Sequence, residues 1–254
     1  MDKHRSVLRS GFEEYQRARQ DPALEERIRS DQSKGVPPPP VQLPHDPAAT
    51  VLDLPRPDGT LLVKSDIDAC LHERRSRRRF SKKPLALAEL AYLLWATQGI
   101  DELIDDYASL RPAPSGGARH PLETYLIVNR VEGLEPAVYR YLPKTHQLLF
   151  VFDEENMAAR TTQAACGQDF VGAAPVVFVW SCVPYRCEWR YPLEATKLIL
   201  LDAGHVCQNL YLACEALGLG TCAIGAYMQS AMDELLRLDG EEEFVVYLAP
   251  VGRG

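Results

Sequence analysis

The sequence predicts an α/β or α+β fold, a sheet with helices packed on it. Three observations predict it. Runs rich in β-branched and aromatic residues, such as Pro175 to Trp180, alternate with segments of helical periodicity. One of those segments, Pro192 to Leu217, is long and mostly apolar and must be a central helix. Strands that alternate with helices then place helices on a sheet. The 254 residues suffice for one large domain or two small ones. With 46% hydrophobic and 25% charged residues, global disorder, collagen and coiled coil are excluded.

The elements follow in order. Residues 11–32 are rich in Glu, Arg and Gln, with Phe12, Tyr15, Ala18 and Leu24 at loosely helical spacing, and read as one or two short surface helices. Pro37 to Pro40 are four consecutive prolines, followed by Pro44 and Pro47, so residues 33–60 are an extended arm or a disordered tail. The compact domain begins near Leu62, which divides the chain into an N-terminal helical segment and Pro-rich arm, 1–61, and a folded domain, 62–254. Ser65 is placed to cap a helix from Asp66 to about Arg75. Leu87, Leu90, Leu93, Leu94 and Ala96 recur at helical spacing after Pro84, and Gly99 ends that helix. Thr124 to Val128 is a strand. Val138 to Tyr141 and Gln147 to Phe152 form a hairpin around Pro143-Lys144-Thr145. Glu154 to Cys166 is helical, Ala223 to Ile224 begins another strand, Ser230 to Leu238 is a helix, and Phe244 to Leu248 is a last strand.

Charge and cysteine content narrow the class. The formal net charge of −7 argues against a general polyanion-binding protein. Seven cysteines, an odd number with several inside apolar runs, fit reduced buried thiols better than a disulfide framework. Met1 to Ser10 lacks the apolar run of a signal peptide. The longest uncharged apolar stretch, Ala173 to Val183, is far short of the roughly 20 residues that span a bilayer. The expected location is the cytoplasm, with no membrane and no nucleic acid as partner.

Four motifs bear on chemistry. From Glu73 to Lys83 there are seven cationic groups and one anion, a local charge of +6, so the remainder carries −13. A cationic focus in an acidic chain suits one anionic ligand, because Arg forks grip phosphate and Ser76 adds a hydroxyl donor. The bland alternative is a solvated basic face. The loop Pro114-Ser115-Gly116-Gly117-Ala118-Arg119-His120-Pro121 precedes a strand, and its glycines allow close backbone approach to a ligand or serve only a tight turn. It lacks the G-x-S-x-G elbow of a serine hydrolase. Gly218-Leu219-Gly220-Thr221-Cys222-Ala223-Ile224-Gly225 runs from helix to strand, the reverse of a Rossmann turn, and is a helix end or a loop laid against a flat ring. Within the long helix, Asp202, His205 and Asn209 share one polar face, beside Gln208; buried hydrogen bonds or a pocket wall would explain it. No two histidines share ligand spacing, and the Cys182 and Cys187 pair has no matching second pair, so no metal site is expected.

In order and number these segments resemble the nitroreductase family, and more closely its SagB-type dehydrogenase branch, from about Val63 to Gly252. The landmarks are Arg74 to Arg78, Leu94-Trp95-Ala96-Thr97-Gln98-Gly99-Ile100, Pro114 to Pro121, Leu201 to His205 with Gln208-Asn209-Leu210, and Gly218 to Thr221. The resemblance implies a three-layer α/β/α arrangement of the α+β class: a mostly antiparallel sheet with helices on both faces and a long central helix at a homodimer interface. It implies FMN shared between two subunits. Arg74, Arg75, Ser76 and Arg78 match the family's first FMN segment. Pro114, Ser115, Gly116 and Gly117 match the loop from the other subunit, and Ala223, Ile224 and Gly225 match the segment against the isoalloxazine. Arg253 is a further phosphate contact. Gln98, Arg119, His120 and His205 are substrate-pocket candidates. The implied activity is hydride transfer through flavin N5 between a donor, with NAD(P)H as candidate, and a small organic or peptide substrate. Some relatives oxidise peptide azolines with a Lys-Tyr pair as base. The comparable place here reads Arg190-Tyr191, and an arginine is a poor proton acceptor, which leaves Tyr191 as the catalytic candidate. The alternatives to the leading reading are such an azoline dehydrogenase and a flavin-binding protein without turnover.

Overall fold

The computed structural model describes Arg17 and residues 29–254. Nearly all of the helical stretch expected over 11–32 lies outside the described residues. The main sheet has seven strands: β1 (Val51–Asp53), β4 (Leu122–Val128), β5 (Ala137–Leu142), β6 (Gln147–Phe152), β7 (Val176–Cys182), β8 (Gly220–Thr221) and β9 (Phe244–Gly252). Their order is β1-β6-β5-β4-β7-β9-β8, with every neighbouring pair antiparallel. A separate hairpin of β2 (Glu102–Asp105) and β3 (Ala108–Leu110) stands apart from it. The sequence reading missed that hairpin because its Leu103, Ile104, Tyr107 and Leu110 are exposed and give no burial alternation.

The central strands are buried on both faces, and their period of two divides the core into two layers. Along β7, Val176, Phe178, Trp180 and Cys182 face one cluster while Val177 and Val179 face the other. The first layer is covered by α2 (Leu87–Gln98) and α6 (Ala195–Ala216), through Leu90, Leu93, Leu94, Ile199 and Leu210. The second is covered by α3 (Met157–Ala164), α4 (Asp169–Gly172) and α7 (Gln229–Leu235), through Met157, Ala164, Val171, Met232 and Leu235. The expected arrangement of helices on both faces of an antiparallel sheet is therefore observed.

Local details differ from expectation for identifiable reasons. The helix α1 (Ile67–Glu73) is capped by Asp66, whose carboxylate accepts from the Asp68 amide at 2.9 Å, one residue after Ser65. Glu89 accepts from the Ala86 amide at 3.0 Å and opens α2. Gly99 ends α2 with an ordinary extended backbone, φ −56° and ψ 157°, so left-handed freedom is not its purpose. A methyl group there would lie 2.6 Å from Trp95 Cδ1, so closeness to Trp95 excludes a side chain. Ala223 and Ile224 do not begin a strand: the paired residues are Gly220 and Thr221, and Ile224 only bridges Leu248.

The Pro-rich arm is extended and lies on its own domain. The Val41 carbonyl accepts from Arg111 at 3.0 Å, and the Leu43 amide donates to Glu123 at 2.9 Å. Arg140 donates to the carbonyls of Leu43 at 3.2 Å and Pro44 at 2.9 Å. The arm then adds β1 to the sheet edge beside β6. Below it, Glu123 on β4 pairs with Arg186 on α5 (Tyr185–Glu188), and the two side chains are 3% and 2% exposed.

A buried charge stripped of its partner is costly. Arg186→Ala leaves the Leu43 amide as the remaining hydrogen-bond donor to the Glu123 carboxylate among the described residues, with the Arg111 charge nearby. We expect a loss of about 3–5 kcal/mol in denaturant-unfolding free energy. A loss below about 1 kcal/mol would show that the pair is solvated in solution.

Candidate functional site

The site is built along α6, whose 22 residues span about 33 Å. Asp202 sits in its first half and is 3% exposed. One carboxylate oxygen accepts from Ser115 Oγ at 2.5 Å and the other from the Gly116 amide at 3.1 Å. Burial raises the Asp202 pKa above the usual carboxylate value, and the hydrogen bonds from Ser115 and Gly116 oppose that rise. Ser115 Oγ also accepts from the His120 amide at 2.8 Å. These bonds close the loop into a compact turn. Gly117, Ala118 and His120 take positive φ of 61°, 53° and 43°, unusual for the last two. A methyl group at Gly117 would lie 2.5 Å from the Tyr191 hydroxyl, so glycine there lets Tyr191 pack directly on the loop. Arg119 Nε donates to the Gly117 carbonyl at 3.0 Å, and its guanidinium carbon lies 5.1 Å from the Trp189 ring centroid.

The second cluster gathers around Tyr211, further along α6. Its hydroxyl is 2.9 Å from Ser76 Oγ and accepts from the Ala223 amide at 2.8 Å. Arg74 lies over the Tyr211 ring at 5.1 Å. The basic segment is fixed to β8 by the Ser76–Thr221 bridge and by the Arg77 amide on the Thr221 carbonyl at 2.9 Å. Gly220 is required here because a methyl group would lie 2.7 Å from Arg77 Cδ. Thus the structure brings Arg74, Ser76 and Ala223 together, with Tyr211 as the link that the sequence reading missed.

The basic segment is not uniform. Arg77 is committed to Glu215 at 3.2 Å, and Lys64 to Glu215 and Glu73. Burial pushes the Glu215 pKa up, but the hydrogen bonds from Lys64 and Arg77 outweigh it and hold the carboxyl below its usual value. Arg75 closes the end of α1 through the carbonyls of His72 and Arg74, both at 2.8 Å. Arg78 is exposed and has no hydrogen bond among the described residues. Arg253 is paired with Glu89, and Gln98 accepts from Arg111 at 3.0 Å, so both serve neighbours within the domain. His205 is exposed, and Asn209 donates to the Ala96 carbonyl at 2.9 Å, so the expected polar face of α6 divides among three surroundings. Pro114 and Gly225 are exposed, and Ile224 is buried.

The two clusters do not meet within one chain. Asp202 and Tyr211 are nine positions apart on α6, about 13.5 Å along the axis and half a turn around it. Among the described residues no group of three or more His, Cys, Asp or Glu is placed to hold a metal ion. None of the described helices is long and apolar enough to cross a membrane.

His120 is buried, and its pKa is pushed down to about 3, first by burial and then by the charge of Arg111. The folded chain therefore excludes a proton that the unfolded chain binds below about pH 6.5. Stability is present above that value and is lost as pH falls through this window. His120→Gln should flatten the dependence by up to about 1.4 kcal/mol per pH unit, read from denaturant titrations near pH 7 and near pH 5. An unchanged slope would show that His120 is hydrated in the native state.

The family model described as Nitroreductase family matches residues 71–253. A protein of Methanocaldococcus jannaschii named as a nitroreductase is 34% identical over 202 residues, which cover 80% of this chain and 96% of that protein. The trifolitoxin-processing protein TfxB of Rhizobium leguminosarum bv. trifolii is 30% identical over 169 residues, 61% of this chain and 44% of TfxB, so the match spans less than half of that relative. A crystal structure described as a nitroreductase from Ralstonia eutropha superposes with a TM-score of 0.65 at 29% identity, covering 86% of this chain and 98% of that one.

Proposed function

The chain belongs to the nitroreductase family, and we propose that it is an FMN-dependent oxidoreductase whose two clusters become one site when two copies associate. The observation that carries this reading is their geometry. A phosphate-suited pair, Arg74 and Ser76 at Tyr211, and a glycine loop, Ser115 to Gly117 at Asp202, lie on opposite sides of one helix. One ligand cannot be gripped by both within a chain, whereas a partner's loop can complete the first cluster across a twofold axis.

The residues fit a flavin mononucleotide. Arg74 stacks on Tyr211 without engaging its N–H groups, and Arg78 has no partner among the described residues, so both are available to a phosphate. Ser76 adds a hydroxyl. Gly225 is exposed, and nothing lies within 4 Å of where its side chain would be, which suits a flat ring. FMN when bound supplies hydride transfer. The protein's part is to hold and orient. Asp202 keeps the Gly116 amide in place, Arg119 lies over Trp189 beside the loop, and the Tyr191 hydroxyl, packed against Gly117, is a group able to exchange a proton with a substrate.

A peptide azoline substrate is the second reading, favoured by the likeness to a trifolitoxin-processing protein. Arg190, beside Tyr191, cannot serve as the basic member of a Lys-Tyr pair, so the small-molecule reading leads.

Purified protein should be yellow, with a flavin spectrum bleached anaerobically by NADH or NADPH. Arg74→Ala should weaken FMN binding about tenfold to a hundredfold, the worth of one charge-assisted contact. Sharing is tested by mixing. Arg74→Ala and Asp202→Ala damage different halves of a shared site, so randomised dimers regain intact sites at about a quarter of the total. Flavin recovery in the mixture beyond the sum of the two variants is expected. No recovery, or a monomer that retains FMN, overturns the shared site.

A further inference from the structure

Two guanidiniums beside the glycine loop have no anionic partner among the described residues. Arg119 spends only its Nε, on the Gly117 carbonyl, and lies over Trp189. Arg190 lies over the Tyr191 ring, its guanidinium carbon 5.3 Å from the centroid, and makes no ion pair. Trp189 and Tyr191 flank Arg190 in sequence, and Tyr191 packs against Gly117, so both cations belong to one patch. The patch is braced from behind. Trp189 Nε1 donates to the Val36 carbonyl at 2.8 Å, and its own carbonyl accepts from the Gln32 amide at 2.9 Å. Tyr185, on the short helix α5 that ends just before Trp189, donates to Asp31 at 2.9 Å.

The two cations sense each other. The Arg119 pKa is lowered first by burial and next by the charge of Arg190. Asp105 on the β2–β3 hairpin opposes that shift but lies outside ion-pair distance. Like charges held together without a carboxylate cost energy, and this chain of net charge −7 has acids to spend. It spends them elsewhere: Lys64 and Arg77 meet Glu215, Arg186 meets Glu123, and Arg253 meets Glu89. Stacking on an aromatic face leaves the in-plane N–H groups of a guanidinium free for a planar anion.

We propose that Arg119 and Arg190 together bind a carboxylate or phosphate group on the molecule that reacts at this site. The inference rests on the oxidoreductase reading for its placement and names the substrate class that the reading leaves open: an organic acid, or a nicotinamide donor held by its 2′-phosphate. In either case the anion is fixed beside the Tyr191 hydroxyl.

The test is binding, measured without turnover by isothermal titration of the full-length protein with and without FMN. Benzoate is compared with its neutral isostere benzamide, and NADP+ with NAD+. At least one charged probe should bind about tenfold or more tightly than its counterpart. That preference should shrink in high salt and fall to about threefold or less in Arg119→Gln and in Arg190→Gln. A preference confined to benzoate assigns the anion to the substrate, and one confined to NADP+ assigns it to the donor. Equal binding within both pairs overturns the proposal, as does a preference that survives either substitution. Arg190 is exposed, so Arg190→Gln decides the matter even where Arg119→Gln disturbs the fold. The visible spectrum reports flavin binding separately. Flavin bound without any charge preference defeats this inference alone, and a charge preference in a protein that takes up no flavin defeats only the oxidoreductase reading.

Discussion

The buried carboxylate of Asp202 is the constraint on which the glycine loop depends. It leaves water to meet one hydroxyl and one amide, and burial makes its charge costly. What the cost secures is a turn with three left-handed residues in a span of four, two of them not glycine. Such a backbone is strained and persists only where its surroundings over-determine it. Here three bonds converge on it: Ser115 and Gly116 on Asp202, and the His120 amide on Ser115. From that turn Arg119 is directed onto Trp189 and Gly117 receives Tyr191. The loop is therefore an extension of α6, and the rigidity of the long helix passes to it.

The fold was legible because its strongest elements bury themselves by periodicity. β7 and α6 are mostly apolar and long, and such segments have few alternatives. The β2–β3 hairpin was illegible for the opposite reason: its apolar residues face outward, so no core imposes a pattern. The site was legible by segment and less so by atom. The basic run, the glycine loop and the Gly218 to Gly225 stretch were identified, yet Tyr211, which joins two of them, gives no sign in a sequence of ordinary apolar helix. Asp202 stood out as a charge in an apolar helix, but its grouping with His205 and Asn209 suggested one shared face. Side chains of different length diverge from one helical stripe, so Asp202 reaches the loop, His205 faces outward and Asn209 reaches α2.

Charge distribution follows the same division. The surplus of +6 between Glu73 and Lys83 reads as one anion site, but the folded chain sorts its members. Arg77 is drawn to Glu215 on α6, and Arg75 to the carbonyls at the end of α1. The cations that neither task uses are Arg74, Arg78, Arg79, Lys82 and Lys83, and of these Arg74 is the one stacked on Tyr211 beside Ser76. Local net charge marks a segment, and local geometry decides which of its residues are left without a partner.

The Pro-rich arm shows why a polar interior is tolerated in this fold. An extended chain with many prolines offers few amide donors, and its carbonyls must find partners when it lies on a protein surface. Arg111 and Arg140 supply them, to Val41, Leu43 and Pro44, and Glu123 meets the Leu43 amide. Apolar residues of the same size would pack but could not satisfy those carbonyls. The arm is thereby held in one register, and its preceding residues, Asp31 to Val36, are delivered to Tyr185 and Trp189. The buried arginines under the arm and the stacked arginines beside the loop are thus linked through one segment of chain: ordering the first pair's contacts places the backbone that steadies Trp189, and Trp189 carries Arg119.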